Sequence, residues 1–453
     1  MSRVAVLDIG KTNVKVAVVD TASGAEVAVR KMPNRVRPGP PYPHYDTEAH
    51  WAFLLRSLQE LGAEHELGAI AVTTHGATGV LIDADGALAL PVIDYEHDGP
   101  DRLAAEYDAL RPSFEETGTP RLPCGLNLGA QLFWQMRTFP EAENAATFLT
   151  YPQYWSWQLT GVAAVEATSL GCHTDLWAPD RGSFSSLVDG MNWRRLMPPV
   201  RKATEVLGPL RPDLVLELGL PELPVLCGIH DSNASLYPHL LRREPPFSVV
   251  STGTWVVCMA VGGRTVRLDP TRDTLVNVNA LGDPVPSARF MGGREYELVR
   301  RGRELTCSED DVARVLEDGV MLLPAVEPGS GPFRGRQRRW TREPEDEGQE
   351  AAALGFYLAL MTATCLVTIG AEGPCVVEGP FAASGEYLKM LAAATGRPVI
   401  PSFGITGTAA GAALLSSSTP NRVAQDANEV MPSKALAAYA DAWLTAVAQG
   451  CTL

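Results

Sequence analysis

Two stretches of this 453-residue chain follow one plan. Residues 4–20 read VAVLDIGKTNVKVAVVD and residues 247–263 read FSVVSTGTWVVCMAVGG. Each sets a short polar insert, rich in Gly, Thr or Ser, between two apolar runs. Apolar run, tight polar turn, apolar run is the pattern of a β-hairpin with buried strands. The copies share the plan and little residue identity, and each opens roughly half of the chain. Such repetition predicts two similar domains facing each other, and the length is itself too great for one ordinary core. The expected division is residues 1–240 and 241–453.

Between the hairpins, strand-like and helix-like segments alternate. DTEAHWAFLLRSLQELG (46–62) has helical periodicity, with Asp46 or Thr47 as cap and Gly62 as stop. GAIAVTTHGATGVLIDADGAL holds two apolar runs about HGATG, ending in a DADG turn. YPQYWSWQLTG (151–161) concentrates aromatics in a helix-like segment and reads as core rather than as a sugar-stacking platform. The strand-like run LPVLCGIHD stands between two helix-like pieces in 201–240. Further on, VVEGPFAASGEYLKMLAAATGRPVI is strand, turn, Ala-rich helix and strand, and GTAAGAALLSS is a small-residue helix suited to close packing. Hairpins mixed with helices predict α/β layers. Residues 327–350, with Arg334, Arg336, Arg338 and Arg339 among Gly, Pro and acids, read as a mobile surface loop with a solvated charge run.

Apolar content of 45% and charged content of 20% describe a packed globular chain. The net charge of −15 argues against non-specific nucleic-acid or anionic-membrane binding, which need a basic face. A metal–nucleotide complex stays allowed, because a local nest of amides can hold phosphate. The eight cysteines (124, 172, 227, 258, 307, 365, 375 and 451) show no CxxC or metal-finger spacing, and predict reduced, buried thiols in a cytoplasmic protein. No leader pattern opens the chain, and no apolar run is expected to reach the length of a membrane span.

Neither GxxxxGK[ST], a Rossmann GxGxxG, HExxH nor GxSxG occurs. What remains is the two polar turns, two histidines beside Gly or Asp, and an aspartate at a strand end. Turns of this kind hold phosphate through successive backbone N–H groups and hydroxyls, with glycine allowing close approach. One such turn alone is an ordinary hairpin; two suggest a nucleotide clamp. In GIHDSNASL, Asp231 either caps the following helix or acts as a general base at a strand end. His75 in HGATG, His173 in GCHTD and Asp98 in EHDGPD are each open to a structural or a ligand-binding role.

The ordered set DIGKTNVK, THGATG, GIHDSNA, STGTW, a glycine-bearing segment near 379 and GTAAGAALL resembles the FGGY carbohydrate kinases, which include xylulokinase, glycerol kinase, rhamnulokinase and fuculokinase. The resemblance runs from residue 4 to about 416. It implies two actin-like (ribonuclease H-like) α/β domains, with ATP in the cleft between them and the sugar mainly on the first. By the same resemblance Asp8 and Asp231 serve Mg²⁺, with Asp8 acting through water, and Asp231 is the catalytic base. Gly10, Thr12, Asn13 and Lys15 belong to the first phosphate turn, and Thr252, Gly253 and Thr254 to the second. His75 and Gly76 match a sugar-contacting segment; Asp98, His173 and His230 are further candidate substrate contacts, read from the residues themselves. Gly379 falls in the adenosine segment, with Phe381 and Ser384 as adenine contacts.

Three features depart from the family pattern. Lys11 replaces a small hydroxyl residue and either reaches the γ-phosphate or decorates the turn tip. EGPFAAS stands where a glycine run is usual. The HD pair at 230–231 and HYDTEAHW resemble the rhamnulokinase and fuculokinase side, while HGATG resembles xylulokinase. The implied activity is ATP- and Mg²⁺-dependent phosphorylation of a small-molecule sugar, at the terminal hydroxyl of a pentulose or 6-deoxyhexulose such as xylulose, L-fuculose or L-rhamnulose. A homodimer is compatible with it. The competing readings are a non-catalytic sugar sensor on the same fold, an actin-like ATPase, and a kinase of polyols or aldoses.

Overall fold

A computed structural model describes residues 3–403, 407–417 and 429–450. Cys451 lies outside the described residues. The chain forms two compact units: Met1–Arg242 with Val276–Pro284 and Ile405–Asn421, and Arg243–Leu275 with Val285–Gly404 and Arg422–Leu453.

The first unit is built on the opening hairpin. β1 (Arg3–Ile9) and β2 (Asn13–Asp20) pair antiparallel with Asp8 opposite Lys15, and β3 (Glu26–Pro33) extends the meander. The Val, Ala, Leu and Ile side chains of β1 and β2 are fully buried on both faces, as strands covered on both sides require, while β3 at the edge is largely exposed. α1 (Thr47–Glu64) leads into β4 (Ala69–Thr74), which runs parallel to β1. After the buried aromatic helix α2 (Tyr151–Thr160), β5 (Pro224–Leu226) and β6 (Ile229–His230) also pair parallel to β4. α3 (Asp231–Arg242) follows β6 directly. The order is Val206–Pro209, β5, β4, β1, β2, β3, with β6 also on β4.

In the second unit β7 (Phe247–Thr252) and β8 (Val256–Val261) form the other hairpin, and β9 (Pro284–Phe290) pairs antiparallel with β8. Beyond α4 (Glu347–Thr368), β10 (Cys375–Glu378) runs parallel to β7. α5 (Gly385–Thr395) then leads to β11 (Val399–Ser402), parallel to β10. The order β9-β8-β7-β10-β11 repeats β3-β2-β1-β4-β5 of the first unit. The repeated hairpin is thus the visible part of a repeated sheet.

Several local readings need correction. α1 is capped by Asp46, whose side chain accepts from the Ala49 N–H, but the helix runs past Gly62 to Glu64. Gly62 serves packing instead: a Cβ there would lie 2.2 Å from Leu220 Cδ2. Of the two apolar runs about HGATG, the first is β4 and the second, Gly79–Ile82, pairs with Thr147–Thr150. The 327–350 segment is anchored rather than merely solvated: Ser330 is buried, and Arg336 donates to the Val447 carbonyl at 2.9 Å. α4 is long and apolar enough to cross a membrane, contrary to expectation. It is the central helix of its unit's core, with residues 351–363 buried on every face. The small-residue helix Thr408–Leu414 packs on α3, where a Cβ on Gly411 would stand 1.7 Å from the Ala234 carbonyl oxygen.

Candidate functional site

Parallel strands leave their carboxyl ends side by side, and ligands of α/β sheets bind there. In the first unit β1, β4 and β6 end together: Asp8 lies opposite Thr73, and His230 opposite Thr74. This register brings Asp8, His75, His230 and Asp231 to one edge. The His75 N–H donates to the Ile9 carbonyl, and the His230 N–H to the Thr168 hydroxyl.

Asp231 opens α3 and is also a carboxylate with one committed and one open oxygen. Its Oδ1 accepts from the Ser232 N–H at 2.6 Å and the Ser232 hydroxyl at 3.2 Å, and stands 3.1 Å from His230 Nε2. No hydrogen bond reaches Oδ2 among the described residues. Burial raises the Asp231 pKa, while His75 and the Ser232 bonds oppose the shift. The Asn233 amide donates to His230 Nδ1 at 3.3 Å, which leaves the ring proton on Nε2, facing Asp231 and the Cys172 sulfur. Burial pushes the His230 pKa down to about 4, so the ring is neutral at pH 7 and the short Nε2–Oδ1 distance is not an ion pair.

Asp8 also has its pKa raised, by burial first and then by the Asp231 charge, against the opposing pull of Lys15. Lys15 Nζ lies 3.4 Å from Asp8 and 2.9 Å from Glu26. The turn that follows is pinned by Asn34, which donates to the Gly10 carbonyl through its side chain and to the Thr12 carbonyl through its backbone. Gly10 donates to the Asn13 carbonyl, and Thr12 is exposed at the tip. Among the described residues no group of three metal-donor side chains exists. Two carboxylates that sense each other suit Mg²⁺, which keeps most of its waters and takes one or two protein carboxylates.

His75 is held at Nδ1 by the Gly76 carbonyl at 2.8 Å, while its buried Nε2 has no partner among the described residues. Tyr45, Tyr95 and Tyr151 surround the ring at 5.1–5.3 Å, and burial pushes its pKa down to about 4. Gly76 has a structural duty: a Cβ there would meet His230 Nε2 at 2.8 Å. Asp98 is exposed beside His97, and His173 sits on the Leu126 carbonyl at 2.7 Å with a left-handed backbone, φ 43°.

The second unit gathers its own carboxyl ends in the same way. β7 ends at Thr252 and β10 at Glu378, whose register partner is Ser251. The Thr252 hydroxyl donates to the Glu378 carbonyl and accepts from the Phe381 N–H at 3.1 Å, so it is spent on locking the two turns together. Gly379, at φ 79°, allows this, since a Cβ there would lie 2.0 Å from the Thr252 carbonyl oxygen. Beside these turns opens a cavity of about 730 Å³, lined by Gly253 and Thr254 together with Tyr296, Leu358, Phe381 and Ser384. Its volume and aromatic, glycine-bearing wall fall within the range of small-molecule sites.

Residues 4–237 match the N-terminal domain of the FGGY family of carbohydrate kinases, and residues 244–425 match the C-terminal domain of carbohydrate kinase FGGY. The chain belongs to the FGGY family.

A carbohydrate kinase from Novosphingobium aromaticivorans has a crystal structure that superposes on this FGGY chain with a TM-score of 0.91, at 34% identity and 100% coverage of both. An L-fuculokinase of Escherichia coli K12 is 28% identical over 280 residues, 58% of this chain and 57% of that protein. A xylulose kinase of the same strain is 26% identical over 239 residues, 50% and 48% of the respective chains. The chain thus spans about half the length of the curated relatives it matches. Residues that sequence reasoning passed over in this FGGY chain are Tyr45, Asp94 and Tyr95 around His75, Glu166 and Thr168 behind His230, and Tyr296 in the cavity wall. Asp94 and Tyr95 stand in the same IDYEHDGPD stretch from which Asp98 was singled out, but nothing local marks which carboxylate turns inward.

Proposed function

We propose that this chain transfers the γ-phosphoryl group of ATP to the terminal hydroxyl of a neutral ketose, a pentulose or 6-deoxyhexulose, with Asp231 as general base. The observation that carries the proposal is the uneven satisfaction of Asp231. With Oδ1 fixed by Ser232, the side chain is oriented and Oδ2 is left to accept a proton, while burial raises its basicity. Neutral His230, with its proton on Nε2, supports the carboxylate without neutralising it.

The charge balance favours a neutral acceptor. Lys11 is paired with Asp94 and Glu96, Lys15 with Asp8 and Glu26, and His75 and His230 are uncharged at pH 7. An aldonate would meet carboxylates there, with Lys11 and Lys15 already paired among the described residues. The names of the relatives, L-fuculokinase and xylulose kinase, point to the same acceptor class. Gly253 and Thr254 would face the nucleotide phosphates, with Phe381 and Tyr296 toward the base. Mg²⁺, when held by Asp8 and Asp231, would neutralise charge that spreads over the transferred group.

ADP release measured with Mg-ATP across ketoses, polyols, aldoses and an aldonate tests the proposal. Release is expected with a ketose and absent without sugar. Release without sugar would indicate an ATPase, and nucleotide binding with no release a sensor. Asp231→Asn is expected to lower turnover by about 10²–10⁴-fold while ATP still binds; turnover near wild type would remove the base assignment.

A further inference from the structure

Lys11 is the residue of the first turn that the family pattern does not explain, and its surroundings are specific. Its ammonium pairs with Asp94 Oδ1 and lies 3.2 Å from Glu96 Oε2. It also sits over two aromatic rings, 4.6 Å from the centroid of Tyr95 and 5.5 Å from that of Tyr45. These are two of the rings that flank His75, at 5.3 and 5.2 Å. Asp94 is buried, and its Oδ1 takes the Tyr45 hydroxyl and the Glu96 N–H as well as Lys11. One ammonium thus fixes a carboxylate and two rings around a histidine whose buried Nε2 has no partner among the described residues.

We infer that Lys11 is a positioning residue for the acceptor sugar: it ties the first phosphate turn to segment 94–96 and thereby sets the wall of the acceptor subsite at His75. The inference rests on the proposed sugar-binding role of that edge. Two carboxylates already engage the ammonium, and a buried carboxylate deprived of its cation is strongly unfavourable. Lys11 therefore stays with Asp94 instead of following the phosphates. The two rings gain a cation–π contact from the same group, so their placement depends on its charge and not only on its bulk. In this arrangement the turn that would meet the nucleotide and the segment that would meet the sugar move as one piece.

The test measures sugar and nucleotide affinity separately, by calorimetry on the intact chain, alongside steady-state kinetics. The sugar is the ketose that gives the highest ADP release or, if none turns over, the one that binds most tightly. Lys11→Met is expected to weaken sugar binding and raise the sugar KM by about ten- to a hundredfold, the size of effect that slight misplacement of a substrate produces. ATP affinity and ATP KM should stay within about twofold of wild type, and Lys11→Arg, which keeps the charge and can pair with both carboxylates, should recover most of the loss. Glu96→Gln, at the exposed end of the cluster, should shift sugar affinity in the same direction by a few fold and decides the matter if Lys11→Met does not fold. Weakened ATP binding with unchanged sugar binding in these variants overturns the inference, as does no change in either. Wild-type protein that binds sugar without turnover defeats the kinase reading alone, because the affinity comparison still applies. Wild-type protein that binds none of the sugars defeats both.

Discussion

Thr168 shows how a residue outside every motif can hold the site. Its N–H and hydroxyl both donate to the buried carboxylate of Glu166, while its hydroxyl oxygen accepts from the His230 backbone N–H at 3.1 Å. Glu166, Thr168 and His230 thus form one chain of hydrogen bonds ending beside Asp231. Glu166 is itself pushed up to about 7 by burial, against the pull of these donors. Thr168→Val keeps the shape and removes the hydroxyl, leaving the buried His230 N–H without its acceptor and Glu166 Oε2 with the Ser169 N–H alone. Stability should fall by about 1–3 kcal/mol per stranded group, and turnover should drop while ATP affinity holds. A variant with wild-type Tm and wild-type turnover would show that the chain of bonds carries nothing. At this scale the sequence marked Asp231, His75 and His230, because charged or polar residues at the end of an apolar run stand out. It did not mark Thr168, Asp94 or Tyr45, whose importance comes from what folding places against them.

The elements were legible where periodicity is strong and less so where glycine has two meanings. α1 was readable from its cap and apolar spacing, but Gly62 looked like a stop and is a packing notch for Leu220. The same helix carries His50, fully buried near Trp155, with neither ring nitrogen partnered among the described residues. Burial pushes its pKa down to about 4, against an ordinary value of 6.5. Between these values the unfolded chain binds a proton that the native state refuses, so stability falls as pH is lowered through that window. The slope is up to about 1.4 kcal/mol per pH unit for each such histidine. His75 and His230 share the behaviour. His50→Leu removes one share: on going from pH 7.5 to 5, wild type should lose about 2 kcal/mol more than the variant. Parallel losses, read by urea denaturation at the two pH values, would contradict the assignment.

For the molecule as a whole, each unit places its proposed ligand groups at the carboxyl ends of its own parallel strands, Asp8, His75 and Asp231 in one and Gly253, Thr254 and Phe381 in the other. Hydrogen exchange should report this division. ADP alone is expected to slow exchange around 253–254, 293–296 and 379–384, and a ketose alone around 10–13, 75–77 and 94–97. Protection by ADP confined to the first unit would reverse the assignment of the two ligands. The sequence by itself determined that two hairpins of one plan open two α/β halves, because strand and turn chemistry are local and survive without a partner. It also determined that an aspartate ends a buried run at 231. Only the tertiary structure decided that Thr252 is spent on a turn–turn lock, that Lys11 belongs with Asp94 and the rings around His75, and that Asp231 has one oxygen committed and one open. Those facts depend on strand register and on groups up to 129 residues apart meeting in space, and no local pattern encodes such distances.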